Sequence, residues 1–509
     1  MFIWTEYSTK QVFKSARPER DSKNSKTLYT AANAYVSAQV VLRELADFTV
    51  TDVKAEAPEN VAVRLFAQRY RMYNDRVDYP DELAPVEEAL PLEVKAHAAQ
   101  SFWVDFFVPS CFAGRTFESK VTVITSRGEF AACFTVNVSE TVIPDSNRGR
   151  FNHEYFFDFN DKNVSGAKTF SDEWWEYTRM IARFFRELRC NAVVINSFGL
   201  LAGAGSRKTG DGKWTFDFSL WDRYVDLFIK EGAAKTFTIS AMIQSVEGKT
   251  IGTLGENSEH VTMNTMTEEA AEYLRQYYGA IYEHIKGNGT LKLFRTHIED
   301  EPHTTDAWRW ARKIIAEVAP ELPAGEPLDM IESAHGLCDV CDVMVPRINV
   351  YEEDPEFFEK AIAGGREVWT YSCCFPEEGW WINKFVDMPF IRSRLMEWVC
   401  ALTGAKGFLH WGFNYYGSQL YGLFDDARFK GDGHIVYPDP EHKKYNLSAR
   451  FINTRDGIQD VEAYLIRRQD NADLREVLRG AAENYYTYDE NPETFEERLK
   501  ALLGFADRA

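Results

Sequence analysis

Between Thr296 and Asp306 the chain reads THIEDEPHTTD, which sets Glu299, Asp300 and Glu301 side by side and follows them with Pro302 and His303. Three adjacent carboxylates repel one another. Two that converge on one pocket push their pKa values apart, so that one keeps its proton near neutral pH while its neighbour stays ionised. That is the pairing general acid chemistry uses. The alternative is a solvated turn before a helix beginning near Thr305, with Asp306 serving its N-terminus. His297 and His303 flank the acids and can tune them. As metal ligands these two histidines lack the His-Glu-x-x-His spacing, so no metal and no cofactor are expected.

The residues that must position this group read as a strand, Leu291–Glu299. Alternation puts Leu291, Leu293, Arg295, His297, Glu299 and Glu301 on one face, where Arg295 and Glu299 are expected to pair. A regular strand cannot turn Asp300 and Glu301 to the same side. It must end or bulge there, and Pro302, which donates no hydrogen bond and favours an extended Glu301, marks the end.

Around that strand the chain changes rhythm twice. Residues 1–145 carry alternating or β-branched runs such as Asn33–Leu42, Ser101–Pro109, Lys120–Phe130 and Ala132–Glu140, which predict a β-sandwich. Glu140–Gly149 reads as a linker. Over 150–470 short apolar strands alternate with amphipathic helices. The expected strands are Glu154–Phe159, Asn191–Asn196, Thr236–Met242, Leu291–Glu299, Leu328–Ser333, Val340–Val345, Glu367–Cys373 and Gly407–Asn414. They suit a (β/α)8 TIM barrel, whose usual size is ~250 residues and whose catalytic groups lie at the C-terminal strand ends. A doubly wound open sheet is the structural alternative. Asp172–Leu188 shows the helical spacing well, with Trp175, Tyr177, Met180, Ile181, Phe184 and Leu188 on one stripe. Asn446–Gln469 and Asn491–Arg508 read as helices, the second lying in a helical C-terminal extension over 471–509.

Composition bounds the function. A chain of 509 residues exceeds one core, so two or three domains are expected. A net charge of −20 repels phosphate backbones and excludes a nucleic-acid partner. No apolar run approaches the ~18 residues of a spanning helix, so no membrane partner is expected. The start MFIWTEYSTK lacks a basic and then apolar leader, which makes a cytoplasmic protein the simplest expectation. Eight cysteines are too sparse for a disulfide scaffold. Cys338-x-x-Cys341 is expected to be structural, and Cys373-Cys374 to face a core. Oligomeric state is not legible.

The stretches NAYVSAQVVL, DYPDELAP, QSFWVDFFVPSCFAG, FDFSLWDRYVDLFIKEG, HIEDEPH, GFLHWGFNYYG, GDGHIVYP and TRDGIQDVEAYL, in this order, resemble the landmarks of glycoside hydrolase family 123 and the wider glycoside-hydrolase-like group around it. The resemblance implies a β-sandwich, a (β/α)8 barrel and a C-terminal extension. It also implies a retaining, exo-acting β-N-acetylgalactosaminidase with a glycan substrate and substrate-assisted catalysis, an exception to the two-carboxylate scheme. Asp300 would then orient the acetamido group and Glu301 would act as acid and base. Tyr371 would donate to the acetamido oxygen, and Trp411 and Asn414 would form the pocket floor. Trp380, Trp381 and Asn383 would form a subsite wall after the seventh strand. Two stretches depart from the family: Ser245–His260 matches no landmark, and Phe451-Ile452-Asn453 stands where an acid is usual. Three other readings remain: a glycosidase on a non-acetamido sugar with a distant carboxylate such as Glu332, a non-catalytic carbohydrate-binding protein, and a metal-dependent sugar isomerase or hydrolase using His297, Glu299 and Glu301.

Overall fold

The computed structural model describes residues 1–73, 77–244, 250–377, 379–416 and 430–505. Residues 245–249 of the unmatched stretch, Gly417 and the last residues of the helix expected through Arg508 lie outside the described residues.

The N-terminal third forms two sheets around an apolar core. One joins Phe2–Tyr7, Ala34–Arg43, Ala99–Val108, Ala62–Met72 and Asp78–Pro85, and the other joins Ser25–Ala32, Gly128–Val142, Thr116–Thr125, Phe48–Glu56 and Leu92–Val94. Inward Val40, Phe102, Val104 and Phe106 of the first meet Val53, Val121, Val123 and Phe134 of the second, as period-two alternation requires. The first sheet does not end with the N-terminal third. Strands Lys444–Ser448 and Val436–Asp439, from far along the chain, extend its edge through Leu447 opposite Leu83.

From residue 152 strands and helices alternate. The parallel strands are Asn152–Tyr155, Ala192–Ile195, Thr236–Ile239, Phe294–Thr296, Gly325–Leu328, Val343–Pro346, a seventh split into Glu367–Val368 and Thr370–Ser372, and Gly407–His410. Each pairs with the next in chain order; a single bridge, Thr296 to Ala324, joins the fourth to the fifth. The eighth returns to pair with the first, Leu409 opposite Glu154. Helices cover the outside. Asp172–Leu188 begins where Ser171 Oγ accepts from the Trp174 amide and ends at Arg189 in the left-handed region (φ 64°). It buries Trp174, Trp175, Tyr177, Ile181, Phe185 and Leu188, each contributing about 1.5–3 kcal/mol of apolar burial.

Several element boundaries differ from expectation, for local reasons. Leu291–Leu293 is a 3-10 turn and the fourth strand is only Phe294–Thr296. The fifth strand lies earlier, at Gly325–Leu328, and Ile331–Leu337 is a helix rather than strand. Ser448 ends a strand and caps the helix Ala449–Arg467, accepting from the Phe451 amide at 2.9 Å. A hairpin of Thr250–Leu254 and His260–Asn264 fills part of the unmatched stretch. In the C-terminal extension a small hairpin, Ala482–Asn484 with Thr487–Tyr488, precedes the helix Pro492–Leu502. Cys373 and Cys374 follow the seventh strand and are partly buried; Cys373 packs against the apolar cluster of Trp369, Tyr371 and Leu409. No helix among the described residues is long and apolar enough to cross a membrane.

Candidate active site

The interior between the parallel strands is plugged by buried polar and charged side chains. Arg295 of the fourth strand reaches Glu154 of the first at 2.5 Å and Thr238 of the third at 2.9 Å, and its guanidinium lies 3.8 Å from the centre of the Trp369 ring. Arg295 therefore pairs across the interior, not with Glu299 beyond the end of its own strand. The reason is reach: the long guanidinium arm crosses the enclosed space, and Glu154 is otherwise a buried charge in need of a cation.

Above this plug, at the C-terminal ends of the strands, the acid run breaks the extended backbone. Glu301 has φ 48°, a left-handed conformation for a residue with a side chain. The proline effect that favoured an extended Glu301 is overridden, at a cost of about 1–2 kcal/mol. The kink separates the acids. Glu299 is fully buried and Asp300 is exposed, while Glu301 is half-buried and accepts from the Tyr371 hydroxyl of the seventh strand. Burial pushes the Glu301 carboxyl up. The Tyr371 hydrogen bond and Arg347 pull it down, Asp300 and Asp329 push it further up, and the net displacement is upward.

His297 is buried beneath the pair, with Nε2 at 2.8 Å from Glu326 Oε1 and 3.6 Å from Asp300 Oδ1. Burial alone would lower its pKa. The carboxylates of Glu326, Asp300 and Glu154 outweigh that and push it up to about 9. An imidazolium at neutral pH thus supports Asp300 from below. Glu326 is held in turn by the Trp308 indole at 2.5 Å and the Ile298 amide at 3.1 Å. His303 projects into solvent and meets Asp329 at 3.3 Å, so it touches the site only through that neighbour. His297 turns to Glu326 and Glu301 to Tyr371, and the grouping of His297, Glu299 and Glu301 around one ion is not assembled.

The remaining candidates divide. Trp411 follows the eighth strand, stacks on Tyr415 at 5.6 Å and donates its indole N–H to Asp432 at 2.5 Å. Asp432 also accepts from His410 Nε2 at 2.9 Å, while His410 Nδ1 accepts from the Gly412 amide at 3.1 Å, which sets the imidazole tautomer. Asn414 is buried: its amide donates to Tyr177 and Tyr445, and its oxygen accepts from the Asp158 amide at 2.8 Å. Asn383 is likewise engaged within the protein, donating to the Cys373 carbonyl at 2.9 Å and the Pro376 carbonyl at 3.2 Å. Both asparagines shape loops instead of presenting free amides. Trp380 is 65% exposed, and Trp381 packs edge-on against Tyr486 at 5.1 Å. Glu332 stands exposed in the first turn of its helix, not on a strand end.

Sequence reasoning missed Arg347, Asp329 and Asp432. Arg347 follows the apolar strand Val343–Pro346 and Asp329 follows Gly325–Leu328. The rule that pointed to Asp300 and Glu301, a charged residue just past a buried strand, applies to both.

The catalytic-domain model of glycoside hydrolase family 123 matches residues 164–466, well over half of the chain. Among solved structures, a family 123 glycoside hydrolase from Clostridium perfringens, reported for its glycolipid glycan hydrolysis, aligns with a TM-score of 0.77 at 12% identity, over 99% of this chain and 96% of that one. A mutant of xylanase 10C from Cellvibrio japonicus in complex with xylopentaose aligns with a TM-score of 0.40 at 12% identity, over 90% of this chain and 97% of that one. No curated protein matches the chain.

Proposed function

This chain belongs to glycoside hydrolase family 123 and is a glycoside hydrolase, and from that premise we propose that it is a retaining, exo-acting enzyme. Its substrate in this reading is a terminal β-linked N-acetylhexosamine, with N-acetylgalactosamine favoured, on a glycan such as that of a glycolipid. The architecture in the proposal is a β-sandwich over 1–145, a (β/α)8 barrel over 150–470 and a C-terminal extension over 471–509. The circuit of parallel strands, with the eighth paired to the first, supports the barrel.

The observation that carries the mechanism is Glu301: half-buried in the loop just past the fourth strand, hydrogen-bonded by Tyr371, with its carboxyl pushed up from its ordinary value by burial. A raised carboxyl keeps a proton to give to the leaving oxygen and, once ionised, takes one from water. Asp300, its neighbour in sequence, lies 3.6 Å from the His297 ring. It orients the substrate's acetamido N–H and stabilises charge on the oxazoline formed when the acetamido oxygen attacks the anomeric carbon. Adjacency suits this division of labour. A protein nucleophile must approach from the opposite face of the sugar, on another strand, whereas a substrate nucleophile leaves only an acid and a polariser to supply. Trp411, held by Asp432, forms the floor.

The test compares aryl β-N-acetylgalactosaminide with the plain aryl β-galactoside. Cleavage of the first and not the second supports assistance by the substrate. Equal rates on both would remove the acetamido from the mechanism and favour a distant carboxylate.

A further inference from the structure

Beside Arg347 the surface opens into a cavity of about 420 Å3, within the usual range of small-molecule sites. Three segments far apart in sequence build it. The helix after the sixth strand supplies Asn349 and Glu352, the loop after the seventh supplies Phe375 and Trp381, and the hairpin of the C-terminal extension supplies Tyr486. Phe375 is 53% exposed and Tyr486 45%. With Trp381 they gather aromatic surface around one cavity, which marks a binding surface.

The hairpin is anchored so that Tyr486 is presented. Its neighbour Tyr485 is fully buried: its hydroxyl meets Thr370 Oγ1 at 3.0 Å, its amide donates to Glu352 at 3.2 Å and its carbonyl accepts from the Ile382 amide at 2.8 Å. Asn484 Oδ1 closes the turn by accepting from the amides of Tyr486 and Thr487. Arg347 joins the cavity to the acid site. It lines the cavity, its backbone bridges to Tyr371, and its charge acts on Glu301.

We propose that this cavity is the subsite for the saccharide on the leaving side of the scissile bond, with the C-terminal extension providing one wall. The inference rests on the assignment of Glu301 as the acid. An acid protonates the glycosidic oxygen, so the sugar beyond that oxygen lies on the acid's side, and Arg347 borders both. Phe375, Trp381 and Tyr486 offer rings to the apolar faces of a pyranose, and Asn349, Glu352 and Arg347 offer polar groups to its hydroxyls.

The experiment measures kcat/KM for a trisaccharide ending in β-N-acetylgalactosamine and for the matching aryl glycoside, in the wild type, Tyr486→Ala and Phe375→Ala. The trisaccharide-to-aryl ratio is expected to fall roughly tenfold in each variant, the worth of one aromatic contact. An unchanged ratio overturns the subsite. If the wild type cleaves neither compound, the catalytic reading fails, and quenching of tryptophan fluorescence by the same trisaccharide decides the cavity alone. Quenching weakened by Tyr486→Ala supports it, and quenching that is the same in both proteins overturns it.

Discussion

Asp105 and Glu301 are both carboxylates withdrawn from water, and their surroundings push them in opposite directions. Asp105, on the strand Ala99–Val108, receives Arg455 at 2.8 Å, Arg64 at 2.5 Å and the Ser37 hydroxyl at 2.7 Å. Burial pushes its carboxyl up, but the two guanidiniums outweigh it and hold the carboxyl well below the usual carboxylate range. Glu301 has a tyrosine hydroxyl and acids for neighbours, with Arg347 as the counterweight, and ends up raised. Asp105 ties the N-terminal sheets to the helix Ala449–Arg467, whereas Glu301 sits on a left-handed kink. Charge matched on every side holds two layers together; charge left unmatched, on strained backbone, stores a movable proton.

The largest expected effect tests the second half of that contrast. Glu301→Gln should lower kcat/KM about 10³-fold, within the range for a lost general acid, with azide restoring part of the rate on an activated aryl glycoside. Its unfolding free energy should stay within about 1 kcal/mol of wild type, because no ion pair is broken. Glu301→Gly should melt no lower than the wild type, since glycine relieves the left-handed strain. A large loss of stability in either variant would make Glu301 a structural residue like Asp105.

Arg455→Met tests the first half. Removing one partner of a buried pair strands the other, and a loss of about 3–5 kcal/mol is expected in urea unfolding, with kcat per folded molecule unchanged. The pH dependence follows from the same carboxyl. Its pKa is depressed in the folded protein, so the unfolded chain binds the proton more tightly and stability falls as pH falls. The contribution is fully present above the unfolded value of about 4 and is lost below it. Asp105→Asn should flatten that acid limb, and an unchanged limb in the variant would assign it to other groups.

How much of this was legible in the sequence depended on the range of the interaction. The strand-and-helix alternation and the helix Asp172–Leu188 could be read because local periodicity encodes them. The break at Asp300–Glu301 was legible because one strand face cannot hold two successive side chains. Its geometry was not, because Pro302 argues for extension and the tertiary hydrogen bond from Tyr371 goes with a left-handed turn. Arg295 was assigned to a neighbour four residues away when its partner, Glu154, lies on a different strand. Asn414 has the residue type and position of a sugar ligand. Only the packing of Tyr177 and Tyr445 around it shows that its amide is taken. Tyr486 is invisible to sequence reasoning, since nothing local says that a hairpin after residue 480 reaches the strand ends.

Tyr371→Phe gives the smallest effect and sharpens the comparison most, because it alters the surroundings of Glu301 and leaves the carboxyl in place. The Tyr371 hydroxyl donates to the carboxylate form, so it lowers the Glu301 pKa against the upward push of burial. Without it the acid holds its proton to higher pH. The alkaline limb of kcat/KM, where Glu301 loses that proton, should therefore move up. The rate at the optimum should fall roughly tenfold, the value of one hydrogen bond to a charged group. Tyr371 lies against the enclosed apolar cluster of Trp369 and Leu409, where phenylalanine keeps the ring packing, so unfolding should report little change. A limb that stays put while the rate falls would mean that Tyr371 acts on the substrate and not on the acid. A limb that moves down would mean that the carboxyl is governed by Arg347, and Glu301 would then belong with Asp105 among the charges held by a cation.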